Sequence, residues 1–245
     1  MSLIKELLEE RKRALHFTLI DPEDQSIEEA GKRAKLCEDF GTDAIMVGGS
    51  TIKESKIVDE TIKEIKENSS LPVILFPNSA TAVSQYADYI FFMSMLNSKE
   101  RKYLLEEQLK GALLVKKFKL KVIPLAYLVI STSVMKTEVE RASELDIIKI
   151  YDIPKALNYA LIAKYFGFSC IYLEAGSGAE HPIANEMIYE IKKEVRIPII
   201  VGGGIRNARI AREKVKAGAD VIVTGTMTEE NLEKVKEIIQ AIKKF

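Results

Sequence analysis

Three times in this chain the same local pattern recurs: an amphipathic helix ends at a glycine, and a run of buried-type residues follows at once. It is written Phe40-Gly41-Thr42-Asp43-Ala44-Ile45, Phe166-Gly167-Phe168-Ser169-Cys170-Ile171 and Ala217-Gly218-Ala219-Asp220-Val221-Ile222. Glycine closes a helix because it accepts the left-handed conformation, and the apolar run that follows reads as a strand covered on both faces. Strands buried on both faces and alternating with helices imply a parallel sheet wrapped in helices. Counting such runs gives eight strands, at 14–20, 43–47, 72–76, 88–93, 121–127, 170–173, 197–201 and 220–223. Eight strand-helix units in 245 residues match a single closed (β/α)8 TIM barrel spanning residues 1–245, preceded by an N-terminal helix. An open doubly wound sheet would need a nucleotide fingerprint after the first strand, and Asp21-Pro22-Glu23 is not one.

Two places interrupt the rhythm. Only Pro77 to Ala87 separates strands three and four, too few residues for a full helix with its turns, so the helical ring should have a gap or an irregular cover there. Phe76, Tyr86, Tyr89, Phe91, Phe92, Met93, Met95 and Leu96 surround this gap. They suit a long apolar ligand entering from the side. After strand five, Leu128 to Pro154 is too long for a connection and is expected to cover substrate.

In such barrels the catalytic groups stand at the carboxyl ends of the strands. Strands six, seven and eight end in Glu174-Ala175-Gly176-Ser177-Gly178, Gly202-Gly203-Gly204 and Thr224-Gly225-Thr226. Glycine loops expose successive N–H groups and form an anion cradle, and Asn207 is positioned to start a helix beside it. Glu174 lies where strand six gives way to its loop and is expected to be a catalytic base. Asp21 ends strand one and Ser50 follows strand two, so the pair could offer oxygens to Mg2+, with Glu23 and Asp24 further into the loop. The bland reading of Asp21 is a strand terminator. His16 reads as a core imidazole and His181 as a surface residue.

The chain carries 36 basic and 36 acidic residues, which argues against a nucleic-acid partner held by bulk charge. No apolar run is long enough to span a membrane and no signal peptide is recognised. The two cysteines, Cys37 and Cys170, fit no metal or redox spacing, and a cytoplasmic location is expected.

Leu19-Ile20-Asp21-Pro22, Val47-Gly48-Gly49-Ser50, Phe76-Pro77-Asn78, the Tyr172 to Ala179 loop, Val201 to Arg206 and Thr224-Gly225-Thr226 together resemble the geranylgeranylglyceryl phosphate synthase family. The resemblance covers nearly the whole chain, and Tyr-Leu-Glu-Ala-Gly-Ser-Gly-Ala is its most specific part. It implies a Mg2+-dependent prenyltransferase that joins sn-glycerol 1-phosphate to geranylgeranyl diphosphate, in a homo-oligomer. Asp21 and Ser50 would hold Mg2+. Tyr172, Leu173, Glu174, Ala175, Gly176, Ser177, Gly178, Gly203, Gly204, Gly225 and Thr226 would hold glycerol phosphate, and Glu174 would take the proton. Heptaprenylglyceryl phosphate synthases share these motifs, so prenyl length stays open. Outside the family, a sugar-phosphate isomerase is disfavoured because strand five ends in Tyr127-Leu128-Val129 without a carboxylate. A non-catalytic phosphate sensor would need neither Asp21 nor an apolar side groove.

Overall fold

The structure, a computed structural model, describes residues 2–49 and 52–244. Its elements are α1 (Leu3–Arg11), β1 (Leu15–Ile20), α2 (Ile27–Phe40), β2 (Ala44–Val47), α3 (Ser55–Asn68), β3 (Val73–Leu75), β4 (Tyr89–Met95), α4 (Glu107–Phe118) and β5 (Lys121–Ser131). There follow α5 (Glu138–Ala142), β6 (Ile148–Lys149), α6 (Ile153–Tyr165), β7 (Cys170–Glu174), α7 (Asn185–Val195), β8 (Ile199–Gly202), α8 (Ala208–Ala217), β9 (Val221–Thr224), α9 (Thr226–Glu230) and α10 (Leu232–Ile242). Pairing is parallel in the order β4-β3-β2-β1-β9-β8-β7-β5, and β4 also pairs with β5, so eight strands close a barrel.

Acids at the strand starts pin the register. Asp43 accepts from the His16 N–H, Asp88 from Val73 and Asp220 from Ile199, at 3.0, 2.9 and 2.7 Å. Each acid thus satisfies a main-chain donor on the neighbouring strand that would otherwise be buried and unpaired. Arg13 holds Asp43 through two bonds of 3.0 and 2.7 Å, and Lys192 holds Asp220. His16 is fully buried between Thr42 and Thr224, 2.8 and 3.1 Å from their hydroxyls, as a core imidazole should be.

Strand alternation divides the apolar residues into two layers. Leu15, Phe17, Met46, Ile74, Phe91, Leu125, Tyr172 and Val223 fill the barrel interior, which Leu3, Ile4 and Leu7 of α1 join. Ile45, Val47, Ile171, Leu173, Val201 and Ile222 face the helices.

The expected gap is present: one 3-10 turn, Ala80–Ala82, replaces the helix between β3 and β4. Two strands run on past their expected ends, β4 to Met95 rather than Met93, and β5. β5 continues to Ser131 rather than stopping at Tyr127, because the added residues pair with β6 as Ile130 with Ile148 and Ser131 with Lys149. The long connection is therefore an extension of the sheet beyond the barrel mouth, with α5 seated on it. Thr137 and Glu140 form a capping box that starts α5.

Candidate active site

A cavity of about 710 Å³ occupies the carboxyl ends of the strands. Asp21, Gly49, Phe76, Met95, Tyr127, Glu174, Gly203 and Thr226 all line it, so all eight barrel strands or the loops after them contribute. The loops after β7, β8 and β9 are tied together. Ser177 Oγ lies 2.7 Å from Thr226 Oγ1, and the Arg206 guanidinium donates to the Ala179 carbonyl at 2.9 Å.

Gly203 has φ +80°, and a Cβ there would come within 2.8 Å of both Glu174 Oε1 and the Gly176 nitrogen. Glycine is required here for conformation and for close approach. Gly176 (φ +97°) is pressed against Thr137, which brings the long connection over the cradle. Glu138, Val139 and Ala142 of α5 line the cavity directly.

Glu174 is only 8% exposed. One carboxylate oxygen accepts from the Gly176 N–H at 2.6 Å. Burial raises its pKa above the usual carboxylate value, opposed by the Gly176 N–H and by hydrogen bonds from the Tyr172 and Tyr127 phenols. The result is a desolvated carboxylate, more basic than one in water and fixed in direction.

Across the mouth, Asp21 accepts from the Glu23 N–H at 3.0 Å and presses against Gly49, where a Cβ would fall 1.9 Å from Oδ2. Its pKa is raised to about 6, chiefly by burial, with Asp24 and Glu23 adding. Glu229 lines the same cavity and is raised to about 7, by burial first and then by Asp24 and Asp21. This concentration of carboxyl oxygens offers hard ligands whose mutual repulsion a divalent cation would relieve. Among the described residues no three His, Cys, Asp or Glu side chains are arranged to hold a metal unaided. Ser50 lies outside the described residues.

An apolar arm leaves this polar mouth. Phe76 stacks on Tyr172 at 5.6 Å with planes 20° apart and meets Phe91 and Tyr127 edge-on, at 6.0 and 5.6 Å. Met93, Met95 and Tyr103 extend the lining, and a smaller cavity of about 60 Å³ adjoins the 3-10 turn and α4. Phe92 lines the smaller cavity with Phe91, but Tyr86, Tyr89 and Leu96 do not join them. Tyr86 lies beside Lys63, 4.2 Å from its ring centre, Tyr89 stands beside Lys121, and Leu96 packs into the outer layer.

The expected site residues thus largely meet in one place. Tyr172, Glu174, Gly176, Ser177, Gly178, Gly203, Gly204, Gly225 and Thr226 all line the cavity with Asp21. Leu173 and Ala175 do not: both side chains are buried in the outer layer, because strand alternation turns them toward the helices. Only their main chain is left to serve a ligand. His181 is exposed, and its carbonyl packs on Gly204. Tyr127, Arg206 and Glu229 also line the cavity without having been expected there, as does Asp24, which the sequence offered only as a carboxylate further into the loop. Of the first three, Tyr127 alone carried a signal, since it sits in strand five beside Tyr172 in register.

Residues 5–244 match the PcrB family. The chain is 47% identical over 243 residues to the geranylgeranylglyceryl phosphate synthase of Pyrococcus horikoshii, covering 98% of this chain and 93% of that protein. It is 50% identical over 219 residues to that of Pyrococcus furiosus, covering 89% and 86%. The crystal structure of (S)-3-O-geranylgeranylglyceryl phosphate synthase from Thermoplasma acidophilum, in complex with its substrate sn-glycerol-1-phosphate, superposes with a TM-score of 0.94 at 40% identity over the full length of both chains. On sequence and fold alike, the chain belongs to the PcrB family.

Proposed function

We propose that this chain forms the ether bond between the C3 hydroxyl of sn-glycerol 1-phosphate and C1 of geranylgeranyl diphosphate, the first ether-bond step of archaeal membrane lipid synthesis. One observation carries this reading. The buried Glu174 carboxylate stands where a glycine-lined anion cradle meets an apolar arm. That is the junction at which a small phosphorylated alcohol and a long prenyl chain must react.

The glycerol phosphate is held by main-chain N–H groups of the Tyr172 to Gly178 loop, Gly203, Gly204, Gly225 and Thr226, with Arg206 supplying charge nearby. Its C3 hydroxyl faces Glu174. The hydroxyl oxygen bonds to the allylic carbon, the bond from that carbon to the diphosphate breaks, and the diphosphate leaves with the electron pair. Glu174 takes the hydroxyl proton as the new bond forms. The prenyl chain lies along Phe76, Phe91, Met93 and Met95. Phe76 and Tyr172, stacked on each other, line the cavity with Glu174, and their ring electrons would stabilise positive charge developing on the allylic carbon. Burial of both substrates excludes water, which would otherwise compete as nucleophile.

Asp21 and Ser50 would hold Mg2+, and the partly buried carboxyl oxygens around Asp21 fit such an ion. When bound, Mg2+ neutralises charge on the departing diphosphate. Lys53 and Lys102, on the cavity wall, support the same charge.

No described helix is long and apolar enough to cross a membrane. We place the enzyme in the cytoplasm as a homo-oligomer, a reading supported by Tyr165, Phe166 and Tyr189, all exposed on α6 and α7 or at their ends. One barrel, residues 1–245, carries the whole activity. Incubation with a ladder of prenyl diphosphates, both glycerol phosphate enantiomers, and Mg2+ present or absent tests the reading. Ether formation with the C20 chain, sn-glycerol 1-phosphate and Mg2+ supports it; no ether product under any condition rejects it.

A further inference from the structure

The wall of the apolar opening has two unlike faces. Inward, α4 presents Gln108, Gly111 and Val115 to the smaller cavity, and Gly111 lies against Ala80 of the 3-10 turn, where a Cβ would meet the Ala80 Cβ at 3.7 Å. Outward, Leu105, Leu109 and Leu113, each four residues from the next, are 54, 71 and 78% exposed. Leu105 lies in the π-turn Lys102–Glu106 that leads into α4, so the three form one stripe along the element. An exposed apolar stripe of this size in a chain with a filled core marks a contact surface.

Its charge surroundings point to the partner. Residues 99–121 hold eight basic and three acidic side chains, a net of +5 in a chain whose total is zero. Arg101 precedes the leucine stripe, and Lys116 and Lys117 follow it, all exposed. Leucines rimmed by basic side chains suit a bilayer surface bearing anionic headgroups, into which the leucines dip while the basic groups meet phosphate. A second copy of this neutral chain offers no such net complement.

We propose that the outer face of α4 docks this protein on an anionic lipid surface, setting the apolar opening at the boundary where a prenyl chain leaves the bilayer and the ether product returns to it. The proposal rests on the prenyl-lipid reading above, and its position on the opening gives the contact a purpose. A helix lying flat in the headgroup region needs no spanning segment, so the surface contact is reversible and weakens with salt.

The test is flotation of the full chain with vesicles of phosphatidylcholine containing about 30 mol% phosphatidylglycerol, against pure phosphatidylcholine, beside an ether-forming assay with a short, water-soluble prenyl diphosphate. The expected result is flotation with the anionic vesicles only, reduced about tenfold or more by the double substitution Leu109→Ser and Leu113→Ser, with ether formation unchanged. Absence of flotation by the wild-type chain, or equal flotation by the double variant, would overturn the proposal. So would a wild-type oligomer that the double substitution splits in sedimentation velocity while vesicles capture neither protein, since the stripe would then join copies. Flotation needs no catalysis, so a chain that floats but makes no ether rejects the functional reading alone.

Discussion

Tyr127 and Tyr172 stand edge to face, 5.4 Å between ring centres with planes 84° apart, and both phenols reach the Glu174 carboxylate. Their register is set by neighbouring strands, since β5 and β7 pair Tyr127 with Tyr172. The two phenols lower the Glu174 pKa while burial raises it.

Removing one phenol should therefore raise that pKa further. In Tyr127→Phe the acid limb of kcat/KM against pH is expected to move to higher pH, because the base is protonated over a wider range. A fall in rate with the limb unmoved would make Tyr127 a packing residue only.

Gly203→Ala puts a methyl group within 2.8 Å of Glu174 Oε1 and of the Gly176 nitrogen, at a φ of +80° that alanine resists. Loss of glycerol phosphate affinity by about tenfold or more is expected, with a stability cost of about 1–3 kcal/mol. Calorimetric titration and thermal melting separate the two effects. Affinity within twofold of wild type would remove Gly203 from the cradle.

Asp21, raised to about 6, shares the cavity with Glu229, raised to about 7. With inorganic pyrophosphate present, Mg2+ is expected to raise the melting temperature of the wild-type chain but to leave that of Asp21→Asn nearly unmoved. Equal shifts in both proteins would assign the metal to other ligands.

His16 is buried neutral, its pKa lowered from 6.5 to about 3 by burial first, then by Lys243 and Arg13. Between those values the unfolded chain binds a proton that the folded chain does not. Stability from this group is complete above pH 6.5 and falls by about 1.4 kcal/mol per pH unit as pH drops toward 3. The raised carboxyl groups of Asp21 and Glu229 act in the opposite sense, so the contribution appears as a difference between proteins. Denaturant unfolding of His16→Gln should show a shallower acid loss than wild type; parallel curves would contradict this.

Much of the barrel was legible because each strand announces itself locally. Gly41 and Gly218 close helices, Asp43 and Asp220 pin the next strand, and the apolar runs are continuous. The short β6 ladder was not, since Ile148 and Lys149 acquire strand character only from the partner that β5 supplies. Glu174 was legible because a strand end fixes its position. Glu229 was not: it lies on α9, where an acid reads as an ordinary solvent-facing residue until the chain brings it round to Asp21. The aromatic set around the gap was read as one group, but Tyr86 lies in the connection before β4 and Tyr89 at the far end of that strand, away from the mouth.

The proposed reaction depends first on Glu174 as its base. Glu174→Gln keeps the shape and the acceptor oxygen and removes the basicity, so measuring kcat and the Kd for sn-glycerol 1-phosphate on the same preparation isolates the proton transfer. A fall in kcat of about a hundredfold or more with Kd within about threefold of wild type is the predicted result. Equal losses in kcat and affinity would contradict it and leave Glu174 as a binding group.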